Sequence, residues 1–158
     1  GIILPGVGAF RDAMTMLNKS GFTEAIKEQA AAGKPLLGIC LGMQMLFEKG
    51  YEFGESEGLG LIPGCVQLID GGGLKIPHMG WNTLTDTKSD LFKGFDKEEF
   101  VYFVHSFYVP LNEFTAATTD YILPYSSALH KDNFYATQFH PEKSGQVGER
   151  ILRNFIEL

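Results

Sequence analysis

The sequence predicts an α/β fold, with a sheet that is parallel in its first half, flanked by helices, and extended by antiparallel strands in its second half. Three observations carry that prediction. Up to about residue 60, short apolar runs alternate with segments of helical periodicity, the pattern of βα units. Beyond it, short strand-like runs follow one another between turn residues such as Asp70-Gly71-Gly72-Gly73 and Lys131-Asp132-Asn133. Residues 146–158 then close the chain with Val147, Ile151, Phe155 and Leu158 on one helical face.

The elements follow in order. Residues 1–4 are continuously apolar, as expected of a strand buried on both faces. After Pro5-Gly6-Val7-Gly8, the residues Phe10, Met14 and Leu17 recur at helical spacing, and Gly21 supplies a C-terminal stop. Thr23 is placed to cap a second helix carrying Ala25, Ile26 and Ala30, which Gly33 and Pro35 end. Residues 35–39 read as a second buried strand, leading through Cys40 into a helix of Met43, Met45, Leu46 and Phe47 that Gly50 would stop. Strands are expected at 66–69, 83–85, 100–108, 116–119, 127–130 and 135–139. No repeat or linker interrupts the chain, so residues 1–158 are read as one domain.

Composition narrows the function. With 44% hydrophobic and 20% charged residues the chain suits a packed globule rather than a disordered one. A domain of this length buries roughly 68–70% of its unfolded surface. A net charge of -6 and no Lys/Arg cluster argue against nucleic acid, and no apolar run is long enough for a membrane span. Cys40 and Cys65 make no disulfide framework and no signal peptide opens the chain, so a cytoplasmic setting is expected.

The sharpest chemical signal is Gly38-Ile39-Cys40-Leu41-Gly42 between a strand and a helix. It has the layout of a nucleophile elbow, a turn so tight that its flanking positions need small residues. Cys40 would stand at a helix N-terminus, which favours thiolate, with the Leu41 N–H aimed at a developing oxyanion; the alternative is a buried structural thiol. A thiolate nucleophile needs a base and a group to orient it. In Gln138-Phe139-His140-Pro141-Glu142, at the end of the last strand, His140 and Glu142 can fill those places, and Cys40 sits at a strand end as well. His105 reads as a wall or core histidine among aromatics, and His130 as an edge residue; His78 is a weaker candidate than His140. No pair of His or Cys has metal-ligand spacing, and neither glycine-rich turn fits a phosphate loop.

The elbow and the Gln138–Ser144 segment resemble the class I, triad-type glutamine amidotransferases. Three further segments, Pro5–Phe10, Pro77–Asn82 and Tyr102–Tyr108, together with Met43, where carbamoyl-phosphate and anthranilate relatives usually carry His, resemble the glutaminase subunits of imidazole glycerol phosphate synthase. The resemblance runs along the whole chain. It implies a flavodoxin-like sheet and a Cys40–His140–Glu142 triad that hydrolyses L-glutamine to glutamate and ammonia. It also implies an oxyanion hole from Val7, Gly8 and Leu41, and Gln44, Ser106 and Phe107 holding the amino-acid end of the substrate. Trp81, Tyr102 and Lys143 would face a (βα)8-barrel cyclase subunit, partner in a heterodimer that makes imidazole glycerol phosphate and a purine-pathway carboxamide; read from the residues alone, the first two serve equally as core aromatics and Lys143 as a solvated charge. No metal or organic cofactor is implied. Because the chain begins in mid-strand, without Met, the resemblance also implies a preceding strand, glycine turn and helix, so the domain is read as N-terminally truncated. Three alternatives remain at this stage: another class I amidotransferase, a non-catalytic module that occupies a partner, and a free-standing cysteine hydrolase.

Overall fold

The computed structural model describes residues 1–158. Its elements in chain order are β1 (Ile2–Leu4), α1 (Phe10–Ser20), α2 (Phe22–Ala31), β2 (Leu36–Ile39), α3 (Leu41–Met45), β3 (Phe47–Gly50), β4 (Ser56–Glu57) and β5 (Ile62–Leu68). There follow β6 (His78–Leu84), β7 (Glu99–His105), β8 (Phe107–Tyr108), β9 (Thr115–Tyr121), β10 (Leu123–Lys131), β11 (Phe134–Thr137) and α4 (Gly145–Ile156), with 3₁₀ turns at Asp90–Phe92 and Pro141–Lys143. The central sheet has the order β1-β2-β11-β10-β9. Its first three strands are parallel and the remaining pairs antiparallel, as the change of texture along the chain predicts. A second sheet, β4-β3-β5-β8, and the β6–β7 hairpin complete the molecule.

The alternation of side chains along the central strands divides the core into two layers. Leu36, Leu129 and Ala136 face one cluster with Phe10, Met14 and Ile26 from the first two helices and with Phe47 and Ile62 from the second sheet. Leu37, Ile39, Ala128 and Tyr135 face the other, with Ile151 and Phe155 of α4 and Val101 and Phe103 of β7. Because both faces are covered, β2 is buried throughout, which is why its sequence is an unbroken apolar run. No helix is long and apolar enough to cross a membrane.

Two expectations are corrected. Thr23 does not cap α2: that helix starts at Phe22 directly after Gly21, whose left-handed conformation (φ 80°) ends α1 and begins α2 at once. The buried Thr23 hydroxyl instead donates to Asn18 Oδ1 at 2.6 Å. The helix after Cys40 is also shorter than expected, ending at Met45, and Phe47–Gly50 is a strand paired with β4 and β5. Residues 41–47 are buried without exception, and a short apolar run buried on every side carries no periodicity to separate helix from strand.

Candidate active site

The nucleophile elbow forms as expected. Cys40 lies between β2 and α3 with φ 55° and ψ −111°, a backbone setting that a residue with a Cβ adopts only under constraint, at about 1–3 kcal/mol. Two features supply the constraint. The Cys40 N–H donates to the Thr137 carbonyl at 2.8 Å, tying the elbow to β11. A Cβ on Gly42 would lie 1.8 Å from the Leu4 carbonyl oxygen, and one on Gly38 would lie 2.8 Å from the Gly42 carbonyl oxygen. The elbow is therefore pressed against the end of β1, and only glycine fits at 42.

The second half of the site arrives through sheet topology. β11 pairs parallel with β2, Thr137 opposite Ile39, so the two strands deliver Cys40 and His140 at the same sheet end. Past that end His140 is clamped by its backbone: its N–H donates to Tyr102 O at 2.9 Å and its carbonyl accepts the Ser144 hydroxyl at 2.6 Å. The imidazole is buried, with Nδ1 2.6 Å from Glu142 Oε1 and Nε2 without any hydrogen-bond partner. A carboxylate on Nδ1 keeps the proton there and leaves the Nε2 lone pair free.

The thiol is not an ion at rest. Burial pushes Cys40 up to about 11, and the Leu41 N–H, which draws it down, does not compensate. The rise from 9.0 to about 11 disfavours the thiolate by roughly a hundredfold. This corrects the expectation that the helix N-terminus sets the ionisation: α3 has only 5 residues, and desolvation outweighs it. Sγ donates to the Val104 carbonyl at 3.9 Å and receives the Gln138 amide at 3.8 Å. The fully buried Gln138 in turn accepts from Gln44 Nε2 at 3.2 Å.

A cleft of about 380 Å³ opens over these groups, ordinary for a small-ligand site. It collects Cys40, His140, Val7, Gly8 and Leu41, and beside them Gln44, Ser106 and Phe107. Gly8 has φ 101°, so the Val7–Gly8 turn uses a conformation that its glycine makes accessible. Glu142 does not line the cleft; it contacts His140 and is itself half-exposed. Trp81, Tyr102 and Lys143 lie outside the cleft. Trp81 is exposed on the hairpin's outer face, with Tyr102 edge-to-face at 5.9 Å, and Lys143 is exposed on the turn after His140. Trp81 is thus no core aromatic.

One lining residue was not legible beforehand. Glu52 is the only acid on the cleft wall, and its Oε2 accepts the Phe10 N–H at 3.0 Å. It caps α1 from a distance because Ala9, at the N-cap position, has no side chain that could. An acid in a turn has no motif to announce it. His105 does line the cleft, as a wall histidine should, and Cys65 is a half-buried thiol away from it. No three His, Cys, Asp or Glu side chains converge as a metal site.

The chain matches the family model described as glutamine amidotransferase class-I over residues 1–158. It is 57% identical to an imidazole glycerol phosphate synthase subunit HisH of Bacteroides fragilis, over 99% of this chain and 79% of that protein. A HisH subunit of Lacticaseibacillus casei is 54% identical, over 100% of this chain and 77% of its own. Among solved structures, a glutamine amidotransferase superposes with a TM-score of 0.73 at 20% identity, over 98% of this chain and 76% of that one. PurLQS from Thermotoga maritima gives 0.70 at 17% identity, over 98% and 78%, and both are likenesses of fold. With its elbow, its buried histidine and these relatives in one frame, the chain belongs to the class I glutamine amidotransferases, and among them to the HisH subunits of imidazole glycerol phosphate synthase.

Proposed function

We propose that residues 1–158 work as one glutaminase domain, in which Cys40, His140 and Glu142 hydrolyse L-glutamine for a cyclase partner in a cytoplasmic heterodimer. His140 Nε2 takes the Cys40 proton as Sγ attacks the side-chain amide carbon. The same nitrogen returns the proton to the departing ammonia, leaving a glutamyl thioester. Water, deprotonated by Nε2, then cleaves the thioester to glutamate and restores the thiol. Glu142 holds the Nδ1 proton and steadies the imidazolium. The Leu41 N–H and the Val7–Gly8 turn receive the oxyanion. Gln44, Ser106 and Phe107 grip the amino-acid end, and Glu52 is the carboxylate within the cleft for its ammonium. The observation that carries this reading is the free, buried Nε2 of His140, its Nδ1 on Glu142, in one cleft with a strained cysteine.

The partner surface is read from the same hairpin. Met79, Trp81 and Phe100 are exposed side by side with Tyr102 on the outer face of β6–β7, an apolar patch that leads to Val104 at the cleft. Docking there by the cyclase explains how a resting, neutral thiol becomes competent, since a partner resting on β7 adjoins both His140 N–H and Sγ contacts. Glutamate release measured alone, with the cyclase, and with cyclase plus its ligand tests the reading. Rates should rise through the series, and equal rates in all three would favour a free-standing hydrolase.

A further inference from the structure

From the cleft wall at His105 a polar cluster that the triad does not use runs into the core. His78 and Asn82, on the inward face of β6, meet His105 of β7 and Tyr125 of β10. His78 is clamped between the rings of Tyr121, 4.0 Å away and 10° from parallel, and Phe103, at 4.8 Å and 20°. Tyr125 is completely buried, and His78 and His105 nearly so. Burial pulls the two imidazoles down to about 4 and about 3, so both are neutral in use.

Neutral imidazoles carry one proton each, and the surroundings decide where. The Asn82 amide is fixed by its backbone neighbours: Oδ1 accepts the Thr83 N–H at 2.8 Å, and Nδ2 donates to Asp120 O at 3.0 Å. Nδ2 therefore also donates to His78 Nε2, at 3.4 Å, which places the His78 proton on Nδ1. His105 Nδ1 stands 2.8 Å from the Phe107 carbonyl, which can only accept, so the His105 proton is on Nδ1 and Nε2 accepts. Tyr125 fits between, its oxygen 3.2 Å from His78 Nδ1 and 3.1 Å from His105 Nε2. His78 Nδ1 lies equally close to His105 Nε2, at 3.2 Å, so the donors run one way by either route: Asn82 to His78, His78 to Tyr125 or directly to His105, Tyr125 to His105, and His105 to the Phe107 carbonyl. That carbonyl otherwise receives only the Gln44 amide, at a long 3.4 Å.

We propose that Asn82, His78, Tyr125 and His105 are positioning residues that hold the Phe107 carbonyl, and with it the Ser106–Phe107 wall, in the setting that grips the amino-acid end of glutamine. The proposal rests on the glutaminase reading. No hydrogen bond joins these four residues to Sγ or to the His140 ring, so their loss weakens substrate binding and leaves the reactivity of the thiol alone.

The test uses the enzyme with its cyclase partner. His105→Phe keeps the ring and removes the donor to Phe107, whereas His105→Asn returns an amide Nδ2 to the place of the ring Nδ1. Steady-state kinetics with glutamine are compared with the rate at which iodoacetamide, which has no amino-acid end, alkylates Cys40. Expected for His105→Phe is a tenfold or greater rise in KM, with kcat within threefold and alkylation within twofold of the parent. His105→Asn should bring KM back to within threefold. Tyr125→Phe keeps the measurement available if His105→Phe does not fold. Its expected rise is two- to fivefold, because His78 Nδ1 already stands 3.2 Å from His105 Nε2 and donates to it directly once the hydroxyl is gone. An unchanged KM in the folded variants, a parallel fall in kcat and alkylation, or an Asn variant no better than Phe would overturn the positioning chain while leaving an active parent as a glutaminase. A parent that released no glutamate with its partner present would overturn both readings.

Discussion

Replacing Glu142 by Gln tests how much of the triad resides in its third member. In the structure Glu142 Oε1 is 2.6 Å from His140 Nδ1, a contact that becomes an ion pair when Nε2 takes the thiol proton. A hydrogen bond to a charged group contributes roughly 1.5–3 kcal/mol, and each 1.4 kcal/mol is a factor of ten, which gives roughly ten- to a hundredfold in rate. The Glu142 side chain is 49% exposed, so solvent screens the charge and the lower half of that range applies. The imidazole also keeps its seat without Glu142, since Tyr102 O and Ser144 Oγ hold the His140 backbone. The expected result is therefore a drop in kcat of roughly ten- to thirtyfold, far short of the roughly 10⁴ recorded where a fully buried triad aspartate is neutralised. The assay is glutamate release by the partnered enzyme at saturating glutamine, with binding of the cyclase measured in parallel. A loss as deep as that of a variant lacking the nucleophile would refute the reasoning, and so would a change smaller than threefold.

Cys40→Ala should abolish glutamine hydrolysis with the fold intact, and a glutamine-analogue alkylator followed by peptide mapping should modify Cys40 and spare Cys65. Gly42→Ala should destabilise by roughly 3 kcal/mol or more, because a Cβ 1.8 Å from the Leu4 carbonyl oxygen forces β1 and α3 apart; a urea-unfolding midpoint equal to the parent's would count against the close contact. Acid should weaken the fold through His78 and His105. Both bind protons less readily folded than unfolded, so the stability they contribute is complete above the ordinary value of 6.5 and is lost as pH falls toward about 4 and about 3. Each histidine contributes about 1.4 kcal/mol per pH unit in that window. His105→Asn should accordingly show a shallower decline of stability between pH 6 and 4 than the parent, by about one proton in denaturant titrations at stepped pH.

How much of this was legible in advance depends on the kind of signal. The strand at 36–39, the elbow and the closing helix are specified by local pattern, because a short apolar run bounded by Pro35 and the elbow has no room for a helix, paired glycines mark a tight turn, and helical periodicity marks the last element. His140 and Glu142 were legible for the same reason, standing two apart beside a proline at a strand end. Phe47–Gly50 was not, since its strand character comes from β5, whose pairing partner Ile62 has no local mark. Glu52 was missed because its place in the cleft is set by the Phe10 N–H, 42 residues away. The Tyr125–His78–His105 cluster was equally silent: a tyrosine and two histidines on three strands become one network only through register. The thiol illustrates a different failure, where the direction of one effect was foreseen but its competitor, burial, was the larger.

The parallel pairing of β2 with β11 has a consequence for when the nucleophile and its base come together as the chain is made. During synthesis the strand that carries the base emerges about a hundred residues after the nucleophile strand. Until that last strand slots between β2 and β10, the cysteine has neither its base nor the carbonyl of Thr137 that helps lock its strained backbone. Long-range strand insertion of this kind is a late event in folding. A stalled ribosomal product or a proteolytic fragment short of β11 thus holds a reactive residue with no means of using it. The order of strands leaves the nucleophile without its base in any chain that stops short of β11.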